Sequence, residues 1–301
     1  MKNNVKNQQV RGTALIIAAG VFWGSMGIFV RILERFGFSS IQISCLRLTV
    51  AAIIFAALHF IIDRKEPWIS VRDIPLFLGL GLGSILFFTV CYFTAISMMS
   101  LSTAAILLYT SPIWVMLMSC IFFKEKLTAR KLSALGCAFG GCILVSGLTS
   151  GSVSALGIII GLCSGLGYGL YSILGSVALK KYSPLTVTAY TFIVAAAGAW
   201  CICRPAEMCS LISAADGSAN ELLLIISASG VITAVIPFAA YTVGLNSVEP
   251  SRAAILATVE PLVATLVGAA VFAEPVTLLS GAGIVLILLS VVLLNTGKAE
   301  S

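Results

Sequence analysis

A chain of 301 residues, 59% hydrophobic and only 10% charged, with a mean hydropathy of +1.08, cannot clothe a water-soluble surface. Such a surface takes about a quarter charged residues. The net charge of +6 does not point to nucleic acid, because Lys and Arg sit in short breaks between apolar runs and form no basic stripe interleaved with aromatics. Lipid is the solvent that this composition fits.

About twenty apolar residues, each rising roughly 1.5 Å, cross a hydrocarbon core. Such runs predict ten transmembrane helices over 12–33, 41–62, 74–98, 102–123, 132–149, 155–179, 185–203, 221–246, 251–272 and 276–295. The first follows Lys2, Lys6 and Arg11 as a secretory signal would. It is too long for one and lacks a small-x-small cleavage site, so it reads as a retained span. Glu34-Arg35-Phe36-Gly37, Asp63-Arg64-Lys65-Glu66-Pro67, Lys124-Glu125-Lys126, Lys180-Lys181 and Asp216-Gly217 punctuate the series, and the longest connection, around 204–220, is short.

Orientation follows from Lys and Arg in the connections. With both termini in the cytoplasm, Lys2, Lys6, Arg11, Arg64, Lys65, Arg72, Lys124, Lys126, Arg130, Lys131, Lys180, Lys181, Arg252 and Lys298 lie inside. Only Arg31, Arg35 and Arg204 lie outside. This predicts a multi-pass protein of the inner or plasma membrane.

The chain also repeats itself. The stretch from Ser100 aligns without gaps on that from Glu249, pairing Ser102 with Ser251, Ala104 with Ala253, Ile106 with Ile255 and Pro112 with Pro261. The same register pairs Tyr92 with Tyr241, Glu125 with Glu274 and Thr128 with Thr277. Nearer the start of each half, Gly12 matches Gly157, Trp23 matches Tyr168 and Gly24 matches Gly169. Two units result, 12–149 and 155–295, each of five spans. Five is odd, so the second unit enters the bilayer from the opposite side, as an inverted repeat.

At these residues the chain resembles the drug/metabolite transporter superfamily, in its two-repeat EamA branch. Trp23-Gly24 in the apolar opening and Arg47 in the second span carry the resemblance. So do the Ser111-Pro112 and Glu260-Pro261 breaks, and Glu125 and Glu274, each followed three residues on by Thr. It covers 12 to 295. The resemblance implies an all-α fold, a 5+5 inverted repeat around a central cavity, and export of amino acids, related metabolites or drugs. The substrate stays open.

A proline inside a span removes a hydrogen bond and frees the carbonyl four residues back, here those of Leu108 and Ala257. In lipid such groups are tolerated only where protein or water satisfies them. The pair of breaks therefore predicts a polar cavity between the halves; the plainer alternative is a packing kink. Pro237 in the eighth span is a third break, matched in the third span by Phe88.

Arg47 and Glu260 are the formal charges well inside spans. Burying each is costly, so both should face the bundle interior. Glu260, matched in the repeat by Ser111, is a candidate site for a coupling proton or a substrate amine. Its plainer role is a bond to a neighbouring helix or to Arg47. Arg47 is an inter-helix anchor or, through its fork, a carboxylate clamp. Trp23, Tyr92, Tyr109, Tyr168, Tyr171 and Tyr241 lie away from the interfacial belts, where a cavity can satisfy their polar ends. With Ser111, Pro112, Pro237, Thr258 and Pro261 they complete the candidate wall.

Other chemistries lack residues. Cys45, Cys91, Cys120, Cys137, Cys142, Cys163, Cys201, Cys203 and Cys209 lie almost all in apolar runs, without the companions a zinc site needs, so no metal is expected. His59 is expected to be solvated or interfacial, and no hydrolase motif is present, so neither an enzyme nor a cofactor is expected. No Walker A motif occurs. Glycines four apart (Gly20/Gly24, Gly79/Gly83, Gly136/Gly140, Gly161/Gly165, Gly165/Gly169) predict close helix contacts. The expected partners are the bilayer and a small-molecule substrate, with H+ as the candidate coupling ion, and ten spans suffice for a monomer. A lipid or lipid-linked sugar flippase of the same superfamily and a non-transporting regulatory or binding subunit are the alternatives.

Overall fold

In a computed structural model of the chain, residues 2–63, 68–146, 154–214 and 219–295 are described. Ten long helices follow one another: α1 (Asn7–Arg35), α2 (Ser40–Ile62), α3 (Val71–Met98), α4 (Leu101–Phe123), α5 (Ala129–Ser146), α6 (Ala155–Ala178), α7 (Pro184–Trp200), α8 (Ala219–Leu245), α9 (Pro250–Phe272) and α10 (Leu278–Asn295). All but α7 are long and apolar enough to cross a membrane alone. Helix α7 reaches that length only together with a short helix, Pro205–Ala214, bent from it by 90°.

The predicted spans are all present, with shifted ends. Helix α1 begins before residue 12, α3 before 74 and α5 at Ala129 instead of 132, while 147–149 lie outside the described residues. The seventh span stops at Trp200, and the expected loop at 204–220 contains the bent helix. Arg64, Lys65, Asp216-Gly217 and Lys298 lie outside the described residues, as do the side chains of Lys2 and Lys6.

Serines start the helices. Gln42 N–H binds Ser39 Oγ while Ser39 N–H binds Gln42 Oε1 at 2.8 Å, a reciprocal cap on α2. Ser100, Ser154 and Ser183 cap α4, α6 and α7 in the same sense.

Packing obeys a pseudo-two-fold exchange. Helix α1 lies along α8 and α9, and its counterpart α6 lies along α3 and α4. Helix α2 packs on α7, and α5 on α10. Each half thus covers the third and fourth helices of the other with its own first helix. Small residues allow the crossings: a Cβ at Gly24 would lie 2.6 Å from Val263 Cβ and 2.7 Å from the Glu260 carbonyl oxygen. The counterpart Gly169 would put one 2.9 Å from Val115 Cγ2 and 3.3 Å from the Ser111 carbonyl oxygen. The expected contacts fail at Gly83 and Gly136, which face open space.

The repeat extends to irregular backbone. Helix α3 is π-helical over Gly79–Leu86 and α8 over Val231–Val235, in the register that pairs Ser84 with Thr233. Lys124 (φ 56°) and Ala273 (φ 55°) both end their helices in the left-handed region. The next residue then donates its N–H backwards, Glu125 to the Ser119 carbonyl at 3.3 Å and Glu274 to the Gly268 carbonyl at 3.2 Å.

Left-handed backbone costs an alanine about 1–2 kcal/mol, which glycine avoids at some entropic expense. Ala273→Gly is expected to stabilise the protein by roughly 0.5–1 kcal/mol, read as a higher Tm in detergent; a lower Tm contradicts the assignment. Gly24→Ala is expected to destabilise it by about 1–3 kcal/mol, because the added methyl meets backbone. Unchanged unfolding of this variant would refute the α1–α9 crossing.

Candidate functional site

Helices α4 and α9 are broken at matching places. Helix α4 is regular over Leu101–Leu108, is interrupted at Tyr109 and Thr110, and resumes over Ser111–Phe123 with Pro112 in its first turn. Helix α9 is regular over Pro250–Ala257, interrupted at Thr258, and resumes over Val259–Phe272, where Pro261 lies in the first turn. Threonine hydroxyls cap the breaks: Thr110 Oγ1 donates to the Leu107 carbonyl and Thr258 Oγ1 to the Ile255 carbonyl, each at 2.6 Å. The carbonyls that proline should free meet the opposite half's glycines. A Cβ at Gly165 would lie 3.1 Å from the Leu108 carbonyl oxygen, and one at Gly20 3.2 Å from that of Ala257.

Next to these breaks lies a polar layer. Glu260 Oε2 accepts a hydrogen bond of 3.0 Å from the Tyr168 hydroxyl on α6. Arg47 on α2 donates from Nε to Thr233 Oγ1 at 2.7 Å and from Nη2 to the Thr233 carbonyl at 3.0 Å. Two of the five guanidinium N–H groups are thereby used. The two charges feel one another but form no ion pair within 4.0 Å. Tyr92, Tyr109, Cys142 and Tyr168 also lie within the field of the Glu260 carboxylate. Arg47, Tyr92, Tyr109, Tyr168 and Glu260 are half-buried, although all sit well inside spans. These side chains come from five helices, α2, α3, α4, α6 and α9.

An aromatic layer lies between Glu260 and the Lys-rich end of the bundle. The Trp23 ring packs at 5.1 Å on Phe238 and 5.4 Å on Tyr241, with Tyr168 at 6.1 Å. Tyr171 and Thr242 share a hydrogen bond of 2.6 Å, and Ser172 and Tyr241 one of 2.7 Å, each joining α6 to α8. These rings leave a cavity of ≈ 20 Å³, room for about one water.

Beyond the rings, the Lys-rich end is cross-linked between the halves. Lys131 Nζ reaches Glu125 at 2.9 Å and Glu249 at 2.7 Å, and Ser251 Oγ donates to Glu125. Lys181 and Tyr182 both bind Asp73 at 2.7 Å. Ser183 donates to Asp63 at 2.6 Å, and chiefly this bond holds the Asp63 carboxyl below its ordinary value, keeping it charged at neutral pH. At the opposite end the halves are joined by Arg31 with Glu274 and by Trp200 Nε1 with Thr49 Oγ1 at 2.9 Å.

The structure thus sorts the candidate residues. Arg47, Tyr92, Tyr109, Tyr168 and Glu260 converge on one space; Trp23, Tyr171 and Tyr241 form a buried layer beneath it. Ser111, Pro112, Pro237, Thr258 and Pro261 are buried at helix breaks and crossings and bring backbone, more than side chain, to the site. Of the repeat-related tyrosines, Tyr241 is spent on Ser172 while Tyr92 keeps accessible surface. His59 corrects an expectation: it is 1% exposed, packed against Phe60 and Tyr190, with Asp63 3.5 Å from Nδ1. Thr233 was missed. Its signal was the repeat register, which pairs it with Ser84, whose hydroxyl donates to the Gly167 carbonyl at 2.8 Å.

Two interleaved five-helix units with broken helices meeting at a polar interior define a polytopic membrane transporter fold. The sequence model of the EamA-like transporter family matches residues 10–147 and again 155–296, and the chain belongs to that family. A protein of Archaeoglobus fulgidus named an uncharacterized transporter is 32% identical over 285 residues, covering 94% of this chain and 95% of that one. A second from the same organism, similarly named, is 27% identical and covers 90% and 93%. The uncharacterized transporter YyaM of Bacillus subtilis is 22% identical over 80% and 79%. A solved crystal structure shares the fold at a TM-score of 0.73 and 16% identity, over 94% of this chain and 95% of that one. The protein is a multi-pass membrane transporter.

Removing the Thr233 hydroxyl leaves Arg47 Nε without its partner while keeping the side-chain shape. Thr233→Val is expected to cost about 1–3 kcal/mol of stability, and Thr233→Ser much less, by thermal unfolding in detergent. Equal losses would show that the methyl, not the hydroxyl, matters.

Proposed function

We propose that the protein exports a small organic metabolite, an amino acid or related compound or a drug, across the cell membrane by alternating access. Its two units, residues 12–149 and 155–295, rearrange around the polar layer in this reading, and both termini lie in the cytoplasm. The observation that carries it is the Arg47–Glu260 pair. Opposite charges on α2 and α9 are tied to separate partners, Thr233 and Tyr168, and stay apart in a half-buried space. Two desolvated charges of opposite sign would close into an ion pair unless each were held. A solute carrying an anionic and a cationic group fits between them, with the three N–H groups left on Arg47 facing its carboxylate. Tyr92 and Tyr109 offer aromatic surface to its apolar part, and Trp23, Tyr171 and Tyr241 shut the cytoplasmic side. The large share of Lys and Arg at the sealed end supports the reading in which that end is cytoplasmic, by the rule of charge asymmetry.

Glu260 is the proton-coupling group in this reading, its proton taken up when the space opens to one side and released at the other. Comparing metabolites in the medium of overexpressing and deletion strains identifies the solute; medium unchanged between the two would count against export. In vesicles Glu260→Gln is then expected to abolish flux driven by a pH gradient at normal protein levels, and flux that persists in this variant removes the coupling role.

A further inference from the structure

The sealed end and the opposite end carry the same residues in different arrangements. In the repeat register Ser102 pairs with Ser251 and Glu125 with Glu274. Identical left-handed turns present the two glutamates, at Lys124 and at Ala273. At the Lys-rich end the glutamate closing α4 meets the serine opening α9: Ser251 donates to Glu125, whose side chain is 6% exposed. Lys131, beside Glu125, reaches across to Glu249 of the other half. The related pair at the other end is apart. Glu274, closing α9, is 49% exposed and turned to Arg31 on α1, not to Ser102 at the opening of α4.

We infer that Ser251–Glu125 and Ser102–Glu274 are alternating latches, of which one is shut and one open in this structure. The inference rests on the transport reading. Two halves of one fold in inverted orientation pass from one state to the other by exchanging conformations. The exchange that parts Ser251 from Glu125 therefore brings Ser102 to Glu274, shutting the latch that is open here. Arg31 neutralises Glu274 while its latch is open. Lys131 does the same for Glu125 in the other state, since both belong to the first half and separate together from Glu249 and Ser251. Neither carboxylate is then left bare in either state.

The test reads conformation and needs no solute. Tyr109→Cys is introduced with Cys201→Ser and Cys209→Ser. Reaction with a membrane-impermeant maleimide, applied from the side opposite the Lys-rich end, is measured above a parent lacking Tyr109→Cys. Losing a hydrogen bond to a carboxylate shifts a two-state balance roughly ten-fold or more. Ser251→Ala should therefore slow labelling by a factor of about two to ten for states of comparable energy. Adding Ser102→Ala should restore it, because both latches are then equally weak. A misfolded Ser251→Ala protein would also label slowly, but a second serine-to-alanine change would not rescue it. Unchanged labelling in Ser251→Ala, or slow labelling that Ser102→Ala does not restore, overturns the latches. Normal export in a chain that fails this test rejects the latches alone, and correct labelling without export in any assay rejects the transport reading alone.

Discussion

Hydrocarbon offers no partner to a backbone carbonyl, so a helix broken inside the bilayer must have its loose groups met by protein or by water. Helices α4 and α9 are both broken, and much of the arrangement follows from how their loose groups are covered. Threonines bend back onto the turns before the breaks, and the first helix of the opposite half closes over the breaks through Gly20 and Gly165. A side chain at either glycine would lift that helix off. Because each half needs the other's first helix for this, the two units interlock, and five helices alone would leave carbonyls facing lipid.

The interlocking also places the charges. Arg47 and Glu260 sit on different halves and are both costly to bury, yet each has a dedicated partner, and Thr233 exists for Arg47 because α8 widens into a π-helical segment there. Such segments cost regular hydrogen bonding and gather at functional positions. Here the same segment recurs in α3, where Ser84 reaches a backbone carbonyl of α6 and no charge is involved. The repeat has kept the backbone device and given it different tasks.

Hydropathy alone located ten spans, because twenty apolar residues in a row have few other solutions, and a gapless register exposed the repeat through pairs such as Ser102/Ser251 and Glu125/Glu274. What it could not resolve depends on helix rotation. Tyr92 and Tyr241 are equivalent in the register, yet one faces the polar interior and the other is spent on Ser172. Gly24 and Gly136 have similar spacing patterns, yet only the first meets another helix. His59 looked interfacial because it stands three residues before a helix end, but α7 covers it. Thr233 is an ordinary threonine in an apolar run, and only the wider π-helical turn turns it toward Arg47.

One consequence concerns the lipid. Helix α7 has 17 residues, so alone it reaches only about 26 Å, short of a hydrocarbon core of roughly 30 Å. Trp200 is followed by the helix bent at 90°, whose Met208 is buried, so the chain changes direction just where α7 runs out of length. Mismatch costs fractions of a kcal/mol per Å, so a thicker bilayer bears on this protein most at that one short helix.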